Sequence, residues 1–276
     1  MEGTAKDTKD TKDTKDTKGK KGKKDRLIAY RRAGNESATR LFFLPYAGKG
    51  ASGYREIADS FGPEVEPVLL QTPGRENRLA EPAVDDIDAL VTQLATALRG
   101  HLDAPFALFG HSMGSLVAFE LAAHLERTEP GLPGPVALFV SAESAPHLLV
   151  PPEVTDEQLT DEQFLADPTR VRENSPLRSD PLFLELMLPS YRADCRLVER
   201  YAARRSHPSV SCPISAFTGE YDEVVPPESV AGWKRHTTDR FRLRMLPSGE
   251  EAFFEPESFP LITAGVESDL RAARQS

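Results

Sequence analysis

The stretch Gly110-His111-Ser112-Met113-Gly114 constrains this chain more than any other. It lies between a short apolar run, Pro105 to Phe109, and a run from Ser115 to Leu125 whose apolar residues recur at helical spacing. A strand that reverses into a helix within five residues needs glycine on both sides of the turn, because a Cβ there would strike the facing backbone. The central serine then takes a strained conformation and projects its hydroxyl from the tip. The pattern therefore predicts strand, elbow and helix, with Ser112 as a nucleophile for acyl chemistry. The helix N-terminus behind it places partial positive charge where an oxyanion would develop. The Met113 N–H is the first expected donor to that oxyanion.

The rest of the chain supplies a matching frame. Arg40 to Leu44, Glu66 to Gln71, Pro135 to Val140, Pro213 to Phe217 and Phe241 to Leu246 read as further strands. Ile87 to Leu98 is helical by the spacing of Ile87, Leu90, Val91, Leu94 and Leu98, and Pro227 to His236 also reads as helix. Apolar strands alternating with helices predict an α/β chain with a mostly parallel central sheet flanked by helices. Residues 151–206 interrupt the alternation with two helical patterns, Thr155 to Ala166 and Asp180 to Arg204. An insertion before a late strand sits near the carboxyl ends of the strands, so it is read as a helical lid over the site.

Residues 26–276 are thus expected to form one domain. Residues 1–25 differ: Lys-Asp-Thr repeats four times and lysines dominate residues 18–25. With no apolar side chain to bury in the repeats or the lysine-rich run, that tail is expected to be disordered. Its nine lysines and six acids leave −12 on the rest of a chain of net charge −9, which argues against a nucleic-acid-binding body. No run of about 18 apolar residues predicts a membrane span. Cys195 and Cys212 are too few for a disulfide framework, and no Cys/His spacing suggests a metal. A cytoplasmic protein without metal or cofactor is the expectation.

The elbow needs partners. A second oxyanion donor should come from the loop after an early strand, and Pro45 to Gly50 fits, with Ala47 as the candidate. The acid should follow a later strand; Asp222 fits, with Glu220 and Glu223 as competitors. The base should be a histidine on the loop after the last strand, Pro247 to Phe254, which contains none. Of the six histidines only His236 follows Asp222, and it lies on the preceding helix; His111 and His147 read as packed or rim residues.

Together these residues resemble the type II thioesterases that accompany polyketide and nonribosomal peptide synthases, members of the α/β-hydrolase superfamily. The likeness runs from about Arg40 to Phe254. It rests on Phe43 to Gly48 with Ala51 and Tyr54, and on Gln71 to Glu76 with Arg78. The elbow, Phe119 to Leu121, Leu188 to Asp194, and Gly219 to Asp222 followed by Trp233 complete it. The resemblance implies a monomer that removes acyl groups from the phosphopantetheine arm of an acyl or peptidyl carrier protein. It implies Ser112 as nucleophile, Asp222 as acid, and Ala47 and Met113 as oxyanion donors.

Three departures stand out. The family ends on Pro-Gly-Gly-His-Phe-Phe or close to it, and Glu250 falls at the histidine position. The stretch Ser141 to Pro146 lacks the arginine that the family usually has near its middle, and Lys49 stands where the family usually has glycine. A Glu250–Asp222 carboxylate pair would resist double ionisation and hold one proton, making a better base than an isolated glutamate. Two other functions fit the missing histidine: a non-hydrolytic binder of carriers or acyl chains, and a carboxylate-driven cyclase, dehydratase or lyase.

Overall fold

A computed structural model describes residues 26–274, apart from 130, 132, 172–174, 176, 177, 179, 250 and 251, and the side chain of Phe183. The tail of residues 1–25 and Glu250 therefore lie outside the described residues.

The strands are β1 (Ile28–Arg31), β2 (Thr39–Leu44), β3 (Val65–Leu70), β4 (Phe106–His111), β5 (Leu138–Ser141), β6 (Ile214–Gly219) and β7 (Phe241–Leu246). The helices are α1 (Arg55–Ser60), α2 (Ile87–Leu98), α3 (Met113–Thr128), α4 (Asp161–Ala166), α5 (Pro181–Ala202), α6 (Pro227–Ala231) and α7 (Phe259–Arg274). The sheet runs β1-β3-β2-β4-β5-β6-β7. Only β1 is antiparallel within it, paired to β3 through Ile28↔Leu70.

Period-2 alternation splits each inner strand between two cores. Phe42 and Leu44 of β2 and Phe106 and Leu108 of β4 pack with α2 and α3. Leu41, Phe43, Ala107 and Phe109 point the other way, with Ile57 of α1 and Ile262 and Val266 of α7. A strand buried on both faces has no polar side to show, which is why β4 reads as a continuous apolar run. The β2–β4 pairing continues to Leu44↔Gly110, so the elbow leaves the sheet beside the loop that follows β2.

Between β5 and β6 the expected insertion is helical, with a small core of its own around Phe164, Val171 and Leu188. Its first pattern, Thr155 to Ala166, is two pieces rather than one: a 3-10 turn, Asp156–Gln158, and then α4. Thr160 restarts the helix, because its N–H donates to Gln163 Oε1 at 2.9 Å and its hydroxyl accepts from the Gln163 N–H at 3.3 Å. Pro227 to His236 likewise divides into α6 and a 3-10 segment from Gly232. A Cβ at Gly232 would lie 2.9 Å from the Ala145 Cβ, so the chain is pressed against the loop after β5 there.

Candidate active site

The geometry begins at the elbow. Ser112 has φ +48° and ψ −132°, a region that side-chain-bearing residues rarely occupy. Its N–H donates to the Ser141 carbonyl of β5 at 2.8 Å, which holds the strained residue in place. A Cβ on Gly110 would overlap the Gly114 carbonyl, and one on Gly114 would lie 2.5 Å from the Leu44 oxygen. Both glycines are therefore required, the second because α3 packs directly on the end of β2. The Ser115 hydroxyl adds bonds to the Gly110 carbonyl (3.0 Å) and the Ser141 carbonyl (3.2 Å).

The loop after β2 closes on the elbow through Tyr54. Its buried hydroxyl donates to the Leu44 carbonyl at 2.8 Å and accepts from the His111 N–H at 3.1 Å. Among the described residues, neither the Ala47 N–H nor the Met113 N–H has a protein acceptor. They are the two donors the elbow was expected to use, one from each of the segments that Tyr54 ties together.

Asp222 is buried at the end of β6. Its Oδ1 accepts from the Val224 N–H (3.0 Å) and the Val225 N–H (2.8 Å). Its buried Oδ2 has no hydrogen-bond partner among the described residues. Glu220 and Glu223, its competitors, are exposed. The loop after β7 lies against this strand end: the Tyr221 N–H donates to the Ser248 carbonyl at 3.1 Å, and a Cβ on Gly219 would overlap the Gly249 carbonyl. The structure thus brings the expected acid beside the expected base loop. Past the two residues left undescribed, Ala252 is buried directly before Phe253 and Phe254.

No described histidine contacts Asp222. His236 is turned toward His147 (His236 Nε2 to His147 Nδ1, 2.8 Å) and packs on Trp233. His111 does lie at the elbow, where its ring stacks on Phe253 with centroids 4.7 Å apart. Its Nδ1 lies 3.1 Å from the Ser141 hydroxyl. Burial pulls its pKa down to about 3, so the ring stays neutral at physiological pH.

Two features were not read from the sequence as site elements. Glu143 sits two residues past Ser141, partly buried, with its Oε1 accepting from the Ser144 N–H at 3.0 Å. Burial pushes its carboxyl up to about 7, and the Trp233 indole N–H holds its carbonyl at 2.8 Å. The second is a buried ion pair between Arg75 and Asp194, 2.7 Å apart. Both residues belong to stretches quoted for the family likeness, but their pairing across 119 positions leaves no signature in spacing.

The sheet order and the elbow define an α/β-hydrolase fold. A family model described as a thioesterase domain matches residues 39–262, and the chain belongs to that family. The linear gramicidin dehydrogenase LgrE of Brevibacillus parabrevis is 35% identical over 244 residues, 86% of this chain and 89% of the relative. The thioesterase PikA5 of Streptomyces venezuelae is 38% identical over 216 residues, 77% of this chain and 75% of that one. The solved type II thioesterase BorB, from the borrelidin biosynthetic cluster, superposes with a TM-score of 0.75 at 35% identity, covering 89% of this chain and 96% of its own.

The dehydrogenase in the first relative's name finds no support in the one glycine-rich turn here that resembles a dinucleotide site. Gly48-Lys49-Gly50-Ala51-Ser52-Gly53 follows a strand and spells such a pattern. Yet its N–H groups are consumed internally: Gly48 by Asp194, Lys49 by Tyr46, Ala51 by Gln71, Ser52 by Glu76 and Gly53 by Gly50. Among the described residues only the Gly50 N–H of this turn lacks an acceptor, too little to cradle a pyrophosphate.

Proposed function

We propose that this protein hydrolyses acyl groups thioester-linked to the phosphopantetheine arm of acyl or peptidyl carrier proteins, editing or releasing chains on a polyketide or nonribosomal peptide synthase. The reading rests above all on Ser112, strained at the elbow, with the Ala47 and Met113 N–H groups lacking an acceptor among the described residues. The similar solved structures of ClbQ, from the colibactin NRPS/PKS pathway, and of the type II thioesterase YbtT, from the yersiniabactin NRPS/PKS pathway, support the substrate class.

In this reading the Ser112 hydroxyl oxygen attacks the thioester carbonyl carbon. The carbonyl oxygen gains negative charge and is held by the Ala47 and Met113 N–H groups. The C–S bond then breaks, and the carrier thiol leaves with the proton taken from serine. Water attacks the acyl-serine, returning the free acid and Ser112. The proton acceptor is Glu250, paired with Asp222 so that the two carboxyls share one proton. Thioesters are activated toward attack and their thiolate leaves readily, which lowers the demand on this weaker base.

The test is intact-protein mass spectrometry of an acyl-loaded carrier protein incubated with the wild type, Ser112→Ala and Glu250→Gln over a pH series. Loss of the acyl mass with the wild type alone is the expected outcome. Carrier binding without loss of acyl mass at any pH would overturn the reading.

A further inference from the structure

The Arg75–Asp194 pair joins three segments that are distant in sequence. Arg75 lies on the loop after β3, Asp194 lies on α5 of the insertion, and the turn between them in space is Tyr46 to Lys49. Asp194 Oδ2 accepts from the Gly48 N–H at 2.8 Å and from Arg75 Nη1 at 3.1 Å. Asp194 Oδ1 accepts from Arg75 Nη2 at 2.7 Å. Arg75 Nη1 also donates to the Lys49 carbonyl at 3.0 Å. Arg75 is 3% and Asp194 1% exposed, so water does not compete for these bonds.

The turn is the one that carries the Ala47 N–H. Its own closure is a single bond, Lys49 N–H to the Tyr46 carbonyl at 3.1 Å. Gly48 has φ +70°, and a Cβ there would lie 3.1 Å from the Tyr191 ring of α5. A four-residue turn has two low-energy forms, which differ by rotation of its middle peptide. In this turn the middle peptide is the one between Ala47 and Gly48. Asp194 holds its N–H end and Arg75 holds the Lys49 carbonyl, so the turn is pinned at two points; in the alternative form the Ala47 carbonyl would replace the Gly48 N–H against the buried carboxylate. A buried ion pair contributes little net stability once desolvation is counted. What this one supplies is direction.

We propose that Arg75 and Asp194 are positioning residues: they set the Tyr46–Lys49 turn, so that the Ala47 N–H takes its working direction only while α5 is docked. The inference rests on the reading of Ala47 as an oxyanion donor. It makes the insertion more than a cover, because undocking α5 withdraws the acceptor that fixes the turn.

The test uses the full chain as Asp194→Asn and Arg75→Lys, with two readouts. Asp194→Asn keeps the shape of the side chain, and Arg75→Lys keeps the charge but loses the two-pronged contact. The first readout is amide hydrogen exchange across residues 45–50 and across α5. Exchange in both segments is expected to rise together in Asp194→Asn, with Arg75→Lys intermediate. The second readout is steady-state hydrolysis of a short N-acetylcysteamine thioester. A fall in kcat of about 10- to 100-fold with KM changed less than twofold is expected, since one misdirected oxyanion donor acts on the transition state.

Unchanged exchange at residues 45–50 would overturn the proposal, and so would full kcat in a variant whose turn has loosened. Absence of Ser112-dependent hydrolysis in the wild type would instead overturn the thioesterase reading. The exchange experiment decides the coupling of turn and helix independently of that result.

Discussion

Asp222 Oδ1 is held by the Val225 N–H at 2.8 Å, while its buried Oδ2 meets no described donor. One half of the carboxylate is fixed by its own loop; the other is buried without a partner among the described residues, at a strand end that packs against the loop after β7. A histidine N–H would fit that relationship, and the chain has none there. Adding one should therefore restore a strong base. Glu250→His, or Ala252→His directly before Phe253 and Phe254, is expected to raise thioester hydrolysis about 100-fold or more. The gain should vanish when Asp222→Asn is added, because the imidazole then loses its carboxylate partner. Initial rates of thiol release on the single and double variants check this.

Strain at Ser112 yields a second prediction. A residue with φ +48° costs about 1–3 kcal/mol that glycine does not incur. Ser112→Gly should abolish hydrolysis and raise the unfolding free energy by about 1 kcal/mol. Urea denaturation beside an activity assay measures both, and a less stable Ser112→Gly would show that the elbow is not strained.

The glycines at the elbow should be intolerant. Gly114→Ala would push a methyl to 2.5 Å from the Leu44 oxygen, separating α3 from β2 or distorting both. A loss of about 1–3 kcal/mol or more is expected in the same denaturation assay. Gly249→Ala is the contrast, because a Cβ there comes no closer than 3.4 Å to the Tyr221 backbone; it should cost much less.

Two groups of buried or half-buried side chains should oppose each other as pH changes. Burial, with the positive charges of Arg204 and Arg235 nearby, lowers the pKa values of His147, His207 and His236. Their folded forms bind fewer protons than the unfolded chain, so the stability they contribute is present above pH 6.5 and lost as pH falls below it. Glu143 works in reverse. Burial raises its carboxyl to about 7, so stability falls as pH rises from about 4.5 to 7. Thermal unfolding across pH 5 to 8 should show Glu143→Gln gaining on the wild type toward pH 8. His236→Gln should flatten the loss of stability toward pH 5.

Much of the site could be read from the sequence because its requirements are local. Gly110, Ser112 and Gly114 are forced by a turn five residues long, and Phe106 to Phe109 announce a doubly buried strand without reference to the rest of the chain. The end of the chain is less legible. α7 starts next to Pro260 and carries Gly265 in its interior, where a Cβ would crowd Arg244 at 3.0 Å and the Phe217 ring at 3.2 Å. Tertiary crowding selects that glycine, and no helix signal reports it. β1 is four residues long and only partly buried, too short for alternation to stand out. Arg75 and Asp194 were visible as parts of two separate motifs. Their meeting on the Gly48 N–H depends on how α5 docks, which pattern alone does not specify.

The central claim is that Ser112 carries the acyl group, and trapping that intermediate tests it most directly. The protein would be mixed with an acyl-loaded carrier, acid-quenched within seconds, digested and mapped by mass spectrometry. The account predicts the acyl mass on the peptide containing Ser112 in the wild type, diminished in Glu250→Gln and absent in Ser112→Ala. Discharge of the carrier at an undiminished rate by Ser112→Ala, with no acyl group on that peptide in the wild type, would contradict it.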